Sequence, residues 1–461
     1  MRIIVIVSDT YRYDNLDNPG KTTPNLNEFA GTSSFFSNCY VSSFPTIPHR
    51  NDLMTGRYSF PFHDWAPLRT DEITLAQLLY KNRYFTQLIA DTPHLVKRGY
   101  NYDIGFVGYH WERGQEGDIP FTRYNHEIKS VIPADKTRGA ADPFFPEKAI
   151  VDLHRWTNWW WKGEEDRFAP RTAKKAMDWL ENNHKCRDFL LWVDFFDPHE
   201  PWDPPEDLVR LYDPDYKGIP MMHPNYGPAD AYTPEELRNL SAHYRAEAAL
   251  VDKCIGRVIR KIRELEIYDD SLIIFTSDHG MYLGEHNYTG KSNLCETGAP
   301  GPWPLYNEVT HVPLIIHLPG QKSRRDYTEI VQPPDIMPTI LDISGIREKT
   351  EIHGSSLAPV FKNGKWPRKY AFSSPALKDD PENELPVTTV SDTEWTLIAG
   401  GRKGQKPRLF NLREDPAQEH DVLEKNSKKA GEMAAALVKF LESLDTENTK
   451  IEALKKRLPP A

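Results

Sequence analysis

The sequence predicts an α/β fold: a large, mostly parallel central sheet flanked by helices, then a small C-terminal α+β domain with an antiparallel sheet. Three observations predict it. Short, continuous apolar runs rich in β-branched residues recur up to residue 318 and read as strands buried on both faces. Amphipathic helical stretches lie between them, and strands alternating with helices imply a parallel sheet. From about residue 365 the pattern changes to antiparallel strands and one helix.

In chain order, residues 3–7 are the first run, bounded by Ser8, Asp9 and Thr10. Residues 86–90, 189–196 and 272–276 have the same character, and 313–318 is a fifth candidate. Residues 171–183 and 234–265 read as amphipathic helices. In the second, Leu237, Leu240, Tyr244, Ala248, Val251, Ile255 and Val258 recur at helical spacing. Residues 103–170 are rich in Pro, Gly, aromatic and charged residues with little periodicity, which predicts a long loop-rich insertion. Residues 387–400 and 407–412 read as antiparallel strands and 428–444 as a helix. The expected division is a catalytic domain over 1–364 and a smaller one over 365–461.

Composition bounds the function. With 57 Lys plus Arg against 67 Asp plus Glu, the net charge of −10 argues against nucleic-acid binding. No apolar run approaches the ~18 residues of a membrane helix, so no membrane partner is expected. Four cysteines (Cys39, Cys186, Cys254 and Cys295) are too sparse for a disulfide scaffold. The chain runs from Met1-Arg2 straight into a strand with no leader-like stretch, which predicts a cytoplasmic location. The aromatic-rich insertion predicts a homo-oligomer.

In open α/β sheets ligands sit at the carboxyl ends of strands. Three strands end in chemically capable residues: Asp9, Asp197 with His199, and Asp278 with His279. Asp9 either binds a cation or caps a turn. Pro48 and Gly56 frame a short helix that begins near Thr46. The helix N-terminus favours an oxyanion, so Thr46 is either a nucleophile, with Arg50 one turn on reaching the anion, or an N-cap. Adjacent Asp278 and His279 suit a metal. His199, between Pro198 and Pro201, suits proton transfer to a leaving group or is a loop histidine. Trp156, Trp159, Trp160 and Trp161 suit either sugar stacking or a core and oligomer contact.

These motifs together resemble the sulfatase family of the alkaline phosphatase superfamily. Thr46, Pro48, Arg50, Leu53, Thr55, Gly56 and Arg57 match the spacing of the family's nucleophile motif. Asp9 after the opening strand resembles its first metal motif. Asp278-His279-Gly280, Gly284-Glu285-His286, Gly290-Lys291 and Val312-Pro313-Leu314-Ile315 resemble its second half. Asp335, Pro338, Thr339, His353-Gly354 and the Leu409-Phe410-Asn411 hairpin resemble later signatures. The likeness implies an alkaline-phosphatase-like fold and metal-dependent ester hydrolysis.

Three departures shape the expected function. Sulfatases carry Cys or Ser at the nucleophile position, oxidised to formylglycine, whereas Thr46 cannot follow that route. Threonine is the nucleophile in phosphoryl-transfer branches of the superfamily, such as nucleotide phosphodiesterases. The first metal motif reads Asp9-Thr10 instead of two Asp. That leaves one divalent ion on Asp9, Thr46, Asp278 and His279, a set similar to phosphonate monoester hydrolases. Mn or Zn is expected first, with Ca or Mg admissible. The lysine that would grip a sulfate oxygen is absent, and Thr92 and His94 stand in its region as substrate-binding candidates. Residues 292–306, including Trp303, form either a substrate wall or a loop.

The expected activity is hydrolysis of phosphate diesters or phosphonate monoesters, small anionic esters, through a covalent Thr46 intermediate. Arg50 and Lys291 would face the non-bridging oxygens and His199 the leaving oxygen. The alternatives are a sulfatase acting without formylglycine, Thr46 standing in place of a native cysteine, and a non-catalytic anion-binding relative.

Overall fold

The computed structural model describes residues 1–17, 20–140, 142–292, 303–379, 384–401 and 403–460. Cys295 and most of the 292–306 segment lie outside the described residues. The central sheet has eight strands. In chain order they are β1 (Arg2–Ser8), β2 (Ser34–Cys39), β3 (Phe85–Ala90), β4 (Gly108–Trp111), β5 (Phe189–Phe195) and β6 (Ser271–Ser277). A two-stranded ribbon of β7 (Tyr282–Leu283) and β8 (Thr289–Gly290) intervenes, and β9 (Leu314–His317) and β10 (Arg325–Val331) complete the sheet. The spatial order is β10-β2-β9-β6-β1-β5-β3-β4.

β1 lies between β5 and β6 and is parallel to both. Its side chains alternate between two apolar layers. Ile3, Val5 and Val7 enter one core, and Ile4 and Ile6 the other, as the period of two requires. Helices Phe168–Asn183 and Pro234–Glu264 cover the second layer through Ala173, Ala176, Leu180, Val251, Ile255 and Val258. The longer helix starts at a capping box in which Thr233 accepts from Glu236 N, with Pro234 in its first turn.

Among the described residues of this sheet, β9 alone runs against the other strands. The apolar run at 313–318 gave no sign of its direction. The cause is the connection: β9 begins beside the end of β6, with Thr276 paired to Leu314. Parallel neighbours would need a crossover to the opposite edge. Here residues 278–313 leave and return at one end of the sheet.

The 103–170 segment is less irregular than expected. It contributes edge strand β4, parallel to β3, and a helix over Ile150–Thr157. That helix ends before Trp159, which is 63% exposed, while Trp156 is buried against Ile128 and Leu153. No helix of the described residues is long and apolar enough to cross a membrane.

A second, antiparallel sheet follows, in the order β11 (Ala371–Ser373), β12 (Leu385–Ser391), β13 (Trp395–Gly401) and β14 (Arg408–Asn411). Residues 387–400 therefore divide into two strands, turned by Asp392, which accepts from Glu394 N and Trp395 N. Helix Ser427–Ser443 packs Met433, Leu437 and Leu441 against Leu397 and Leu409. This sheet is tied to the catalytic half by backbone bonds from Phe44 N to Ser374 O and from Ser374 N to Ser42 O, each 3.0 Å.

The same 42–44 loop is held from the other side by Asp52. Its fully buried carboxylate accepts from Ser42 Oγ, Ser43 N (3.0 Å), Ser59 N (2.7 Å) and Ser59 Oγ (2.6 Å). Burial pushes its pKa up to about 6, against those bonds. Asp52→Ala leaves four buried donors without their acceptor. It should destabilise the protein by about 3 kcal/mol, seen as a lower urea midpoint at unchanged m-value.

Candidate active site

β1, β5 and β6 end side by side, with Ser8 in register with both Phe195 and Ser277. The residues that follow β1 and β6 therefore meet. Asp9, Asp278 and His279 are fully buried, and one ligand atom from each lies within 4.8 Å of the others. Helix Thr46–Thr55 points its N-terminus at this group. Pro45 occupies its N-cap, and Gly56 closes it in the left-handed region at φ 70°. Thr46 thus opens the helix and is not its cap. Its Oγ1 lies 3.4 Å from His279 Nε2.

The hydrogen bonds sort the carboxylate oxygens into two kinds. Asp9 Oδ1 accepts from Thr10 Oγ1 (2.7 Å), and Asp278 Oδ1 accepts from Thr10 N (2.8 Å) and His279 N (2.7 Å). Asp9 Oδ2 and Asp278 Oδ2 accept no hydrogen bond among the described residues. His279 Nδ1 is 3.0 Å from Gly280 O. Donation there leaves Nε2 as the lone-pair nitrogen. Burial pushes the His279 pKa down to about 3, so the ring is neutral, as a ligand must be.

Burial and then the neighbouring Asp278 push the Asp9 carboxyl well up. At Asp278 burial acts the same way, but His279 and Arg50 outweigh it and hold that carboxyl well below its ordinary range. Two carboxylates sharing one site favour a shared cation. Two carboxylate oxygens that accept no hydrogen bond and are ion-paired only to Arg50, a neutral imidazole and the Thr46 hydroxyl together fit one divalent ion.

Gly280 is required by close approach. A Cβ there would come 2.0 Å from Glu308 O. This packing fixes the path of the chain just past Asp278 and His279.

Arg50 is placed differently from the sequence expectation. Its fully buried guanidinium is bidentate to Asp194 (Nε 3.1 Å, Nη2 2.9 Å), with Nη1 2.5 Å from Asp278 Oδ2 and Nη2 3.4 Å from Asp9 Oδ2. It is ion-paired to three carboxylates, while Nη1 makes no hydrogen bond among the described residues. Thr92 is likewise committed, since its buried hydroxyl donates to Asp194 Oδ1 at 2.6 Å. In this structure that hydroxyl holds Asp194. Asp194 itself was missed. The available signal was a charged residue inside the otherwise apolar strand β5, all of which is buried.

Lys291 reaches the site from the residue after β8. Its Nζ is 3.3 Å from Thr10 Oγ1 and 3.9 Å from Asp9 Oδ1. His199, in the loop after β5, stacks on Phe196 at 4.0 Å and places Nδ1 2.7 Å from Glu200 O. Burial and Lys291 hold its pKa well below the ordinary histidine value. His94 remains 27% exposed, with Nε2 3.1 Å from Glu116 Oε2. Glu116 belongs to the 103–170 segment, so that segment reaches the site. Beside Lys291 opens a cavity of about 270 Å³, lined by Phe44, Trp303, Leu305, Pro375 and Lys378.

A sulfatase family model matches residues 2–346. The chain belongs to the sulfatase family. A model described as N-sulphoglucosamine sulphohydrolase, C-terminal, matches residues 303–447. An arylsulfatase of Clostridium perfringens is 25% identical over 497 residues, covering 99% of this chain and 98% of that protein. An endo-4-O-sulfatase of Bacteroides thetaiotaomicron is 25% identical, covering 74% of this chain and 66% of its own. The phosphonate monoester hydrolase of Agrobacterium radiobacter superimposes with a TM-score of 0.70 at 20% identity, covering 98% and 96% of the two chains. A structure solved with D-glucosamine-2-N,6-O-disulfate also gives 0.70, at 21% identity and 97% and 99% coverage. The fold is the alkaline-phosphatase-like fold of this family. The protein is a hydrolase acting on ester bonds, in a family that is generally dependent on divalent metals.

Two outcomes follow from this geometry. Adding Mn²⁺ or Zn²⁺ to metal-stripped protein should raise its melting temperature, by the equivalent of about 2.7 kcal/mol at a hundredfold excess over Kd, and Asp278→Asn should abolish the increment. Thr92→Val should lower the melting temperature, a loss of about 1 kcal/mol, and leave KM unchanged; a rise in KM alone would return Thr92 to the substrate.

Proposed function

We propose that the protein hydrolyses phosphate diesters or phosphonate monoesters through a covalent Thr46 intermediate. The observation that carries this reading is the Thr46 hydroxyl, 3.4 Å from the lone-pair nitrogen of His279, where the family places its formylglycine precursor. A threonine cannot yield that aldehyde, whereas a phospho-threonine is open to hydrolysis by water.

Asp9, Asp278, His279 and the Thr46 oxygen would hold the divalent ion, whose chemistry is Lewis-acid activation of the hydroxyl. Thr46 gives its hydroxyl proton to solvent and attacks phosphorus as the alkoxide from the first turn of its helix, where free N–H groups favour the anion. The Lys291 ammonium faces charge on the non-bridging oxygens. His199 Nε2 gives its proton to the leaving oxygen as the ester bond breaks. The neutral imidazole then takes a proton from the water that cleaves phospho-Thr46, and the Thr46 oxygen leaves. Arg50 acts through Asp9, Asp194 and Asp278, which it keeps in place.

A second reading, sulfate-ester hydrolysis without formylglycine, is favoured by the arylsulfatase relatives. It requires cleavage at sulfur of a sulfo-threonine. The two separate in a paired assay on metal-loaded protein, comparing bis-p-nitrophenyl phosphate and a p-nitrophenyl phenylphosphonate with p-nitrophenyl sulfate. Diester or phosphonate turnover is expected, with Thr46→Ala losing on the order of 10³-fold or more. Sulfate turnover alone would favour the second reading. Near-normal activity of Thr46→Ala would refute the covalent route, and binding without turnover of any ester would leave a non-catalytic relative.

A further inference from the structure

The mechanism uses His199 but none of the groups behind it. A histidine that gives up a proton at Nε2 while Nδ1 donates to a carbonyl must first be protonated on both nitrogens. That imidazolium has to form in a buried place. Burial opposes it, and so do Lys291 and His94, the basic side chains that face it. A nearby carboxylate offsets such a cost.

Two carboxylates are near. Glu116 is already matched, with Oε2 3.1 Å from His94 Nε2 and Oε1 3.3 Å from Arg138 Nη1. Glu200 is not. Its side chain is fully buried, and Oε2 stands 3.5 Å from His199 Nδ1 and accepts no hydrogen bond among the described residues. Its other oxygen, Oε1, accepts the hydroxyl of Tyr226.

Tyr226 is held as firmly. It is fully buried, with a backbone φ of +55° that is uncommon outside glycine. Its ring lies against Gly290, where a Cβ would come 2.8 Å from Cγ of the ring, and Arg138 stands 5.0 Å over it. Gly290 is the residue before Lys291. One buried chain of contacts therefore links the group facing the leaving oxygen to the backbone that carries the ammonium.

We infer that Glu200, held by Tyr226, is the positioning residue that lets His199 act as an acid, by supplying the counter-charge to its imidazolium. The proton at His199 Nε2 passes to the leaving oxygen, which keeps the electron pair of the broken ester bond. The imidazole is left neutral until it accepts a proton from the attacking water. Burial pushes the Glu200 carboxyl up, and Lys291 and the Tyr226 hydroxyl act against that; with their support Glu200 stays ionised and neither gains nor loses a proton. This inference rests on the reading of His199 as the leaving-group acid.

The test uses metal-loaded full-length protein and aryl esters graded in leaving-group pKa, built on whichever ester is turned over in the paired assay. His199→Ala, Glu200→Gln and Tyr226→Phe are compared. For an unsubstituted phenol leaving group, Glu200→Gln should lower kcat on the order of 10–100-fold, within the range of general-acid catalysis. For a dinitrophenol leaving group, which needs no proton, the loss should be under about threefold. Tyr226→Phe should show the same trend at smaller size, and it carries the test if Glu200→Gln does not fold. The alkaline limb of kcat should move to lower pH in Glu200→Gln, since the lost anion no longer favours the imidazolium. An equal loss across all leaving groups would overturn the inference and leave Glu200 structural. If His199→Ala shows no leaving-group dependence, the reading of His199 fails. If His199→Ala shows it and neither other variant does, the inference about Glu200 fails alone.

Discussion

The site depends on one buried guanidinium. Arg50 has no contact with water, and such a charge is tolerated only when it is paired and hydrogen-bonded. It meets Asp9, Asp194 and Asp278, which come from the ends of three adjacent strands. Three carboxylates against one guanidinium leave two negative charges in a space closed to solvent. A divalent cation balances them. With such a cation bound, Lys291 would leave a single positive charge, which on the proposed function suits a singly charged ester. Thr10, where related chains carry a second aspartate, bonds both to Asp9 and to Lys291 and connects the two.

The rest of the fold brings these charges together and keeps them there. Register across β5, β1 and β6 sets the aspartates level with one another. The reversed direction of β9 keeps residues 278–313 at the same end of the sheet, so His279, Lys291 and Glu308 are delivered by one excursion. Thr92 and Trp192 Nε1 (3.2 Å) fix Asp194 from behind, and Asp194 fixes Arg50. Removing any of these contacts leaves a buried charge without its partner, which is why groups that never meet substrate still matter to the site.

Sequence patterns disclose burial, and they revealed the elements whose burial is simple. β1, β3, β5 and β6 are largely covered on both faces and read as apolar runs. β10, with Arg325, Asp326 and Thr328 exposed, is too polar to be recognised that way, and β4, on the opposite edge, is only four residues long and begins with a glycine. β2, next to the edge, mixes Ser34, Ser37 and Asn38 with its phenylalanines. In the site, Asp9, Thr46, Asp278 and His279 stand beside legible landmarks, namely strand ends and a framed helix. The roles of Arg50, Thr92, Asp194 and Glu116 arise from contacts between residues tens to hundreds of positions apart, and Glu200, although next to His199, is fixed by the distant Tyr226. No local spacing encodes such contacts, so the carboxylates that surround Arg50 could not be read from the sequence.

The bonds between the 42–44 loop and Ser374 also bear on how the protein is made. Every group in the mechanism lies between residues 9 and 291, yet the loop that presents Thr46 is clamped by a strand more than 300 residues further along the chain. Ser373 Oγ adds a bond to Val41 O at 2.5 Å, and Gln332 Nε2 another at 2.9 Å. Domains fold as they emerge during synthesis, N-terminal parts first. The nascent chain can therefore begin its central sheet, with β1 to β6, before the loop that precedes Thr46 is clamped. The contacts that hold the loop before Thr46 are complete only once residues 332–374 have been made and β11 has docked.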